Sequence, residues 1–224
     1  LAVPAMGAVL HTLNVRLLSE QVAAIMAHAE DRALIVDASL WPQLAPVLVR
    51  VPTLRHVIIV ATSAAADSSA ALRIHRYEQL LAQAPDGYQW PELVERDAAV
   101  VCYTSGTTGD PKGVVSLHGQ VVITARLWAK ATSLTHGDRF KLLWPFFHSA
   151  GYKAGWVACM AVGAAALPEA TLDAPSLLEK VKREKATFLP GPPTLFQTLL
   201  AMPERDPDAL ASVRVSVTGA SSVA

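Results

Sequence analysis

The sequence has no excess of charge of either sign and very little cysteine. Among 224 residues, 19 lysines and arginines are balanced by 19 aspartates and glutamates, and the formal net charge is +0. Such a chain has no electrostatic basis for binding nucleic acid or an anionic membrane surface. Cys102 and Cys159 both lie in apolar runs. Two such residues make no disulfide framework, so we expect buried free thiols and a cytoplasmic location.

Long hydrophobic runs are missing as well. The longest, residues 154–167, is shorter than the roughly 20 residues that span a bilayer, and Gly163 interrupts it. The apolar start lacks a basic flank and is broken by Pro4 and Gly7, so we do not interpret it as a signal peptide. With 52% hydrophobic residues, the chain suits one large domain. The sequence does not determine the oligomeric state, and a homo-oligomer is one of the possible states.

Strand-like and helix-like segments alternate along the chain. Apolar runs predict strands at residues 33–36, 56–60, 98–102, 139–144, 164–167, 186–189 and 213–218. A helix is predicted over 119–131, with Val122, Ala125 and Ala129 on one face. The Ala- and Ser-rich segment 61–71 is predicted to be a mobile surface loop. This alternation favours an α/β fold with largely parallel sheets flanked by helices.

A segment rich in glycine and hydroxyl groups follows the strand predicted at 98–102. Residues 103–114 are Tyr-Thr-Ser-Gly-Thr-Thr-Gly-Asp-Pro-Lys-Gly-Val. The glycines let the backbone turn its N–H groups toward one point, and the lysine adds a mobile positive charge. This pattern suits an anion with many oxygens, such as a nucleoside triphosphate. The candidate side-chain donors are Thr104, Ser105, Thr107, Thr108 and Lys112.

Several other motifs are absent. A Walker A loop needs Gly directly before its lysine and Ser or Thr after it, whereas Pro111 and Gly113 flank Lys112. No G-x-G-x-x-G pattern occurs, and no G-x-S-x-G surrounds Ser149. The histidines and cysteines show no metal-ligand spacing. On composition alone, a flexible surface loop explains residues 103–114 about as well as a phosphate site does.

The complete string resembles the phosphate-binding signature of the adenylate-forming superfamily, which contains acyl-CoA synthetases, adenylation domains and luciferases. Every position from Tyr103 to Val114 fits that signature. The resemblance implies that Lys112 is catalytic and that Thr104 is a ligand of Mg²⁺. It also implies that ATP is held by Thr104, Ser105, Gly106, Thr107, Thr108, Gly109 and Lys112.

Two later segments resemble further motifs of this superfamily. Residues 145–148, Pro-Phe-Phe-His, resemble the motif whose aromatic–His pair lines the acyl pocket. This implies a catalytic and substrate-binding role for His148, and the alternative is a packed core histidine. Gly219, Ala220 and Ser221 resemble the segment whose backbone packs beside the adenine. Their alternative is an ordinary exit from a strand.

The segment after His148 bears on which carboxylic acid is bound. If that segment is a helix, Gly151, Gly155 and Ala158 lie on one face. Their small size leaves volume for a substrate, or it permits close packing against a neighbouring backbone. Segments 146–155 and 189–194 resemble actinobacterial ligases that activate the propionate side chain of steroid ring fragments, whereas the first hundred residues resemble fatty-acyl-CoA synthetases. We expect a bulky or alicyclic carboxylic acid beside Gly151 and Gly155, with a fatty acid as the alternative.

The resemblance covers residues 1–224 and implies an incomplete large N-terminal domain, with the family's C-terminal domain and its catalytic lysine absent. The implied reaction joins a carboxylic acid to AMP from ATP and then to coenzyme A, so all partners are small molecules. The chain alone is expected to be inactive. The alternatives are a fragment that binds nucleotide or only associates, an amino-acid adenylation domain, and a luciferase-like oxidase.

Overall fold

The structure is a computed structural model that describes residues 1–60, 72–104, 111–170, 172–202 and 206–219. The loop predicted at 61–71 lies outside these residues. The chain divides into two compact units. The first comprises Leu1–Leu93 and Val100–Val115, and the second comprises Val94–Ala99 and Ser116–Ala224.

Helices and strands alternate, as the sequence predicts. The described helices are α1 (Ala2–Ala5), α2 (Ser19–His28), α3 (Trp41–Leu44), a 3₁₀-helix (Ala45–Arg50), α4 (Tyr77–Gln83), α5 (His118–Ala131), a π-helix (Ala150–Val157), α6 (Ala158–Val162), α7 (Ala174–Glu184) and α8 (Pro193–Ala201). The described strands are β1 (Leu10–His11), β2 (Ala33–Asp37), β3 (His56–Val60), β4 (Arg73–Arg76), β5 (Ala98–Thr104), β6 (Lys112–Leu117), β7 (Arg139–Leu142), β8 (Ala165–Pro168), β9 (Phe188–Gly191) and β10 (Val215–Thr218). None of the described helices is long and apolar enough to cross a membrane.

The first unit is organised around a parallel sheet in the order β2-β3-β4. Inward residues alternate along β2 and β3, so that Leu34, Val57 and Ile59 are buried. Val22 and Met26 of α2 pack into the same core. A second sheet has the order β1-β5-β6, and β1 pairs with β5 in parallel. The division between the units falls within β5 and within β6.

The second unit contains a four-stranded sheet in the order β10-β9-β7-β8, in which the recorded pairs are parallel. Phe140 of β7 stacks on Phe188 of β9 with ring centroids 4.4 Å apart, and both side chains are fully buried. The carboxyl ends of all four strands therefore lie at one edge of this sheet. Together with the first unit, this arrangement confirms the α/β class with largely parallel sheets.

Some details differ from the sequence prediction. In α5 the buried face consists of Val121, Ala125 and Ala129, at spacings of four, while Val122 is 43% exposed. Strand β5 continues two residues beyond the predicted end, because its pattern runs on into the phosphate motif. Cys159 is buried as expected, but Cys102 is only half-buried.

A buried lysine joins three elements of the second unit. Lys141 of β7 is 1% exposed, and its Nζ lies 3.0 Å from Glu169 Oε2 and 2.9 Å from Glu184 Oε2. Lys180 adds a second cation, 2.6 Å from Glu169 Oε1. Burial alone would raise the pKa of Glu169, but the hydrogen bonds and charges of Lys180 and Lys141 outweigh burial and lower it.

Candidate active site

The two ends of the phosphate motif lie in the first unit. Thr104 is the last residue of β5, Lys112 is the first residue of β6, and both are exposed. The Thr104 hydroxyl donates to the carbonyl oxygen of Lys112 at 3.5 Å. Among the described residues, the Lys112 ammonium forms no ion pair with a carboxylate. The intervening predicted ligands Ser105, Gly106, Thr107, Thr108 and Gly109 lie outside the described residues.

The chemistry of Thr104 fits the metal role that the resemblance implies. Its hydroxyl is a hard oxygen ligand of the kind that Mg²⁺ binds together with substrate phosphates. The side chain is exposed, and its bond to Lys112 is long and weak. The hydroxyl therefore costs little to redirect toward an ion, and Mg²⁺ ligation stays a prediction.

Tyr103 explains why a glycine follows Lys112. A Cβ atom placed on Gly113 would lie 3.1 Å from Tyr103 Cζ and 3.3 Å from its hydroxyl oxygen. The tyrosine ring therefore lies directly on the backbone of β6, where a side chain would force it away. Burial and the nearby charge of Asp31 raise the pKa of Tyr103, so the phenol keeps its proton at neutral pH.

Three side chains that the sequence did not single out surround Tyr103. His28 Nδ1 lies 2.6 Å from the Tyr103 hydroxyl oxygen. The His11 ring lies against the Tyr103 ring with centroids 5.1 Å apart, and its Nδ1 lies 2.9 and 3.0 Å from the two carboxylate oxygens of Asp31. His28 and Tyr103 are 75 residues apart, and no local pattern links them.

His148 lies in a turn after β7 in the second unit. Its backbone N–H donates to the Pro145 carbonyl at 3.0 Å, and its own carbonyl accepts from Tyr152 at 3.1 Å. Its Nδ1 accepts from the Ala150 N–H at 3.1 Å, which leaves Nε2 to carry a hydrogen as a donor. The side chain is exposed, so it is not a packed core histidine. Its substrate-binding role stays a prediction.

The segment after His148 is helical, as the placement of its small residues on one face requires, and Ala150–Val157 form a π-helix. A Cβ atom on Gly151 would lie 2.2 Å from the Pro145 carbonyl oxygen and 2.5 Å from that of Trp144. One on Gly155 would lie 2.6 Å from Leu142 Cδ2. Close packing thus accounts for both glycines. This packing does not bear on the acid, so a site for the acid beside Gly151 and Gly155 stays a prediction.

The second unit brings two predicted sites to one edge. His148 follows β7 and Gly219 follows β10, so both lie beyond the carboxyl ends of strands in one parallel sheet, where α/β folds bind ligands. Gly219 is exposed, and a Cβ atom there would meet none of the described atoms within 4 Å. Ala220 and Ser221 lie outside the described residues. A depression of about 280 Å³ at this edge is lined in part by Asp173, Pro192 and Thr194.

Comparisons with known proteins show which enzymes this chain resembles. The chain is 44% identical over 127 residues to a 3-(7a-methyl-1,5-dioxo-octahydro-1H-inden-4-yl)propanoyl:CoA ligase of Rhodococcus jostii, which is 57% of this chain and 25% of that protein. It is 33% identical over 202 residues to a medium-chain-fatty-acid–CoA ligase of Ectopseudomonas oleovorans, which is 89% of this chain and 37% of that protein.

A solved structure resembles the fold. The anthranilate CoA ligase AuaEII in complex with anthranoyl-AMP superposes with a TM-score of 0.86, covering 98% of this chain and 42% of that one, and the 24% identity makes this a likeness of fold alone. The chain thus spans a quarter to about two-fifths of the length of these proteins. The model of one family, AMP-binding enzyme, matches residues 1–224. This chain belongs to the AMP-binding enzyme family.

Proposed function

We propose that this chain supplies the nucleotide- and acid-binding part of a carboxylate–CoA ligase that forms AMP in the cytoplasm. One observation carries the proposal: the twelve-residue signature 103–114 connects β5 to β6, and Thr104 at the end of β5 and Lys112 at the start of β6 are both exposed. An exposed lysine that pairs with no carboxylate among the described residues is suited to neutralise a phosphate.

In the proposed reaction, a carboxylate oxygen attacks the α-phosphorus of ATP, the bond to the bridging oxygen of the β-phosphate breaks, and pyrophosphate leaves. The sulfur of coenzyme A then attacks the acyl carbon, its proton is lost, and AMP leaves with the bonding electrons. The protein needs no nucleophile of its own, since the two reactants must only be held in line and their charge neutralised.

The roles of the individual residues follow from their chemistry. Lys112 and the loop 104–109 would hold the β- and γ-phosphates, and Thr104 would share Mg²⁺ with them. His148 would donate Nε2–H to the acid at the carboxyl edge of the second sheet. The segment 219–221 would lie beside the adenine. Coenzyme A is a co-substrate, and this chain carries no residue that we assign to it.

For the acid we propose a bulky or alicyclic carboxylate, with a linear fatty acid as the alternative. The named substrates of the two relatives above represent one of each, so the relatives favour a CoA ligase without deciding between the acids. Linear acids reacting clearly better than alicyclic ones would reverse our choice.

The test is ATP–pyrophosphate exchange by a full-length form, in which this chain is joined to a C-terminal part like that of its relatives. Alicyclic propionates and linear fatty acids should be offered in parallel, with and without coenzyme A. Lys112→Ala should lower kcat/KM about 10- to 150-fold, because it removes a charge-assisted contact worth about 1.5–3 kcal/mol, and it should leave the fold intact.

The same protein, assayed for exchange with amino acids, for oxidation products and for nucleotide binding, separates the alternatives. Exchange with amino acids only would indicate an adenylation domain. Oxidation of the bound acyl group would indicate a luciferase-like enzyme. Nucleotide binding without any exchange would indicate a fragment that does not turn over, and unchanged exchange in Lys112→Ala would contradict the role of the signature.

A further inference from the structure

The start of the phosphate motif is fixed by contacts on Tyr103 from two directions. The His28 ring meets the Tyr103 ring edge-on, with centroids 5.8 Å apart and an angle of 87° between the planes, and its Nδ1 is 2.6 Å from the phenol oxygen. His11 covers the ring from its own strand, tilted by 33°. A 2.6 Å separation lies at the short end of hydrogen bonds to a hydroxyl oxygen.

The end of α2 holds His28 in place. His28 is the last residue of this helix, and Glu30 follows in a left-handed conformation with φ of 56°. Backbone hydrogen bonds then run from Glu30 N to Ala27 O at 3.2 Å and from Asp31 N to Met26 O at 3.0 Å. These two bonds form a Schellman motif, which stops the helix at a defined residue. His28 is therefore presented from a rigid helix end.

The same helix end positions the support for His11. The Thr53 hydroxyl donates to the carbonyl oxygen of Asp31 at 2.9 Å, and the Asp31 carboxylate binds His11 Nδ1. His11 pairs with Val101 in parallel register, so it lies on the same face of the sheet as Tyr103, two residues further along β5. The His11 side chain is only 6% exposed.

Tyr103 transmits these constraints to both ends of the motif. Its neighbour in sequence is Thr104, whose hydroxyl bonds the carbonyl oxygen of Lys112. Its ring lies on the backbone of Gly113, the residue after Lys112. A shift of the tyrosine would therefore move the hydroxyl and the lysine together.

We propose that His28, acting through the Tyr103 hydroxyl, is a positioning residue for the phosphate-binding motif. This inference rests on the proposed function, because it assumes that the motif binds the β- and γ-phosphates. The role assigned to His28 is indirect, since it acts on the motif through the Tyr103 hydroxyl. It fixes the distance between Thr104 and Lys112, so its removal weakens the binding of ATP and pyrophosphate and leaves the binding of AMP, which lacks those phosphates, unchanged.

The experiment uses the full-length form and measures equilibrium binding of Mg·ATP and of AMP by dialysis, followed by KM values for ATP, pyrophosphate and acid in exchange. His28→Ala and Tyr103→Phe should each weaken ATP and pyrophosphate about 3- to 10-fold, the scale of one hydrogen bond. The double variant should be no weaker than either single variant, since both remove the same bond. His28→Asn keeps a polar atom near the position of Nδ1 and should restore most of the affinity.

His136→Ala is the matched control, because His136 is an exposed histidine of the other unit. Unchanged ATP affinity in His28→Ala would overturn the inference. So would equal losses for ATP, AMP and acid accompanied by a lower melting temperature, or additive losses in the double variant. A wild-type protein that binds ATP but catalyses no exchange would contradict the proposed function. Because dialysis requires no turnover, the effect of His28→Ala on ATP binding would still decide the inference in that case.

Discussion

Asp138 allows a quantitative test of what holds the second unit together. It precedes β7 and is 3% exposed. Arg214 Nη2 donates to its Oδ2 at 2.6 Å, the Thr187 hydroxyl donates to its Oδ1 at 2.6 Å, and the Thr135 hydroxyl donates at 3.0 Å. Burial alone would raise the pKa of Asp138, but the hydrogen bonds from Arg214, Thr187 and Thr135 outweigh it and lower the pKa to about 2.

The lowered pKa fixes both the sign and the size of a pH effect. The folded-state pKa of Asp138 lies below the ordinary value of 3.8, so the carboxylate adds stability above about pH 4. That stability is lost as the pH falls through the folded-state pKa. At about 1.4 kcal/mol per pKa unit, the difference is worth about 2 kcal/mol, of which about half is gone by pH 3.

Urea unfolding of the wild type and of Asp138→Asn at pH 7, 5 and 3 measures this contribution. The variant should be less stable by about 2 kcal/mol at pH 7 and pH 5, and the gap should shrink to about half at pH 3. Asp206→Asn is the control, because Asp206 pairs with Lys182 on the exposed surface, and its effect should be small at every pH. A gap that stays constant down to pH 3 would refute the reasoning, since it would mean that the charge of Asp138 is not what stabilises the fold.

Three further outcomes are expected. Lys141→Met should destabilise the protein by about 3 kcal/mol or more in urea unfolding, because two carboxylates lose their buried cation; a neutral result would mean that water reaches them. Gly151→Ala should lower the melting temperature far more than Gly155→Ala, because the added methyl meets backbone oxygen at 2.2 Å in the first case and the end of a flexible leucine in the second; equal losses would contradict the packing. Burial, with the nearby charge of Asp138, raises the pKa of Cys159 to about 12, so iodoacetamide at pH 8 should label Cys102 first and Cys159 only on unfolding, as mass spectrometry would show.

The regular elements could be predicted because their apolar patterns are local. The strand at 56–60 and the alternation that gives the α/β class follow from runs of Val and Ile. The family could be predicted because all twelve residues of 103–114 match one signature, and so long a match is specific. The composition of the same segment would not have distinguished a phosphate site from a flexible loop. Val121 was missed on α5 because Val121 and Val122 are adjacent and equally apolar, and only the tertiary packing selects between them.

The interactions that hold the site could not be predicted, because they join residues that are distant in sequence. Lys141 is a charged residue within a buried strand, and its burial is tolerable because it pairs with Glu169 and Glu184, which are distant from it in sequence. His28 looks like any polar residue at a helix end. Its partner Tyr103 lies 75 residues further along the chain, so only the tertiary structure brings the two side chains together.

The glycine at 151 shows how a packing role and a functional role can depend on each other. The carbonyl oxygens of Trp144 and Pro145 occupy the space in which its side chain would stand, so the π-helix lies directly on the turn that follows β7. That turn carries His148, whose N–H bonds to Pro145 and whose carbonyl bonds to Tyr152 on the same helix. A larger residue at 151 would separate the helix from the turn and so displace the histidine. The absence of a side chain at this position is therefore required to hold His148 at the carboxyl edge of the sheet, whatever volume it leaves for the acid.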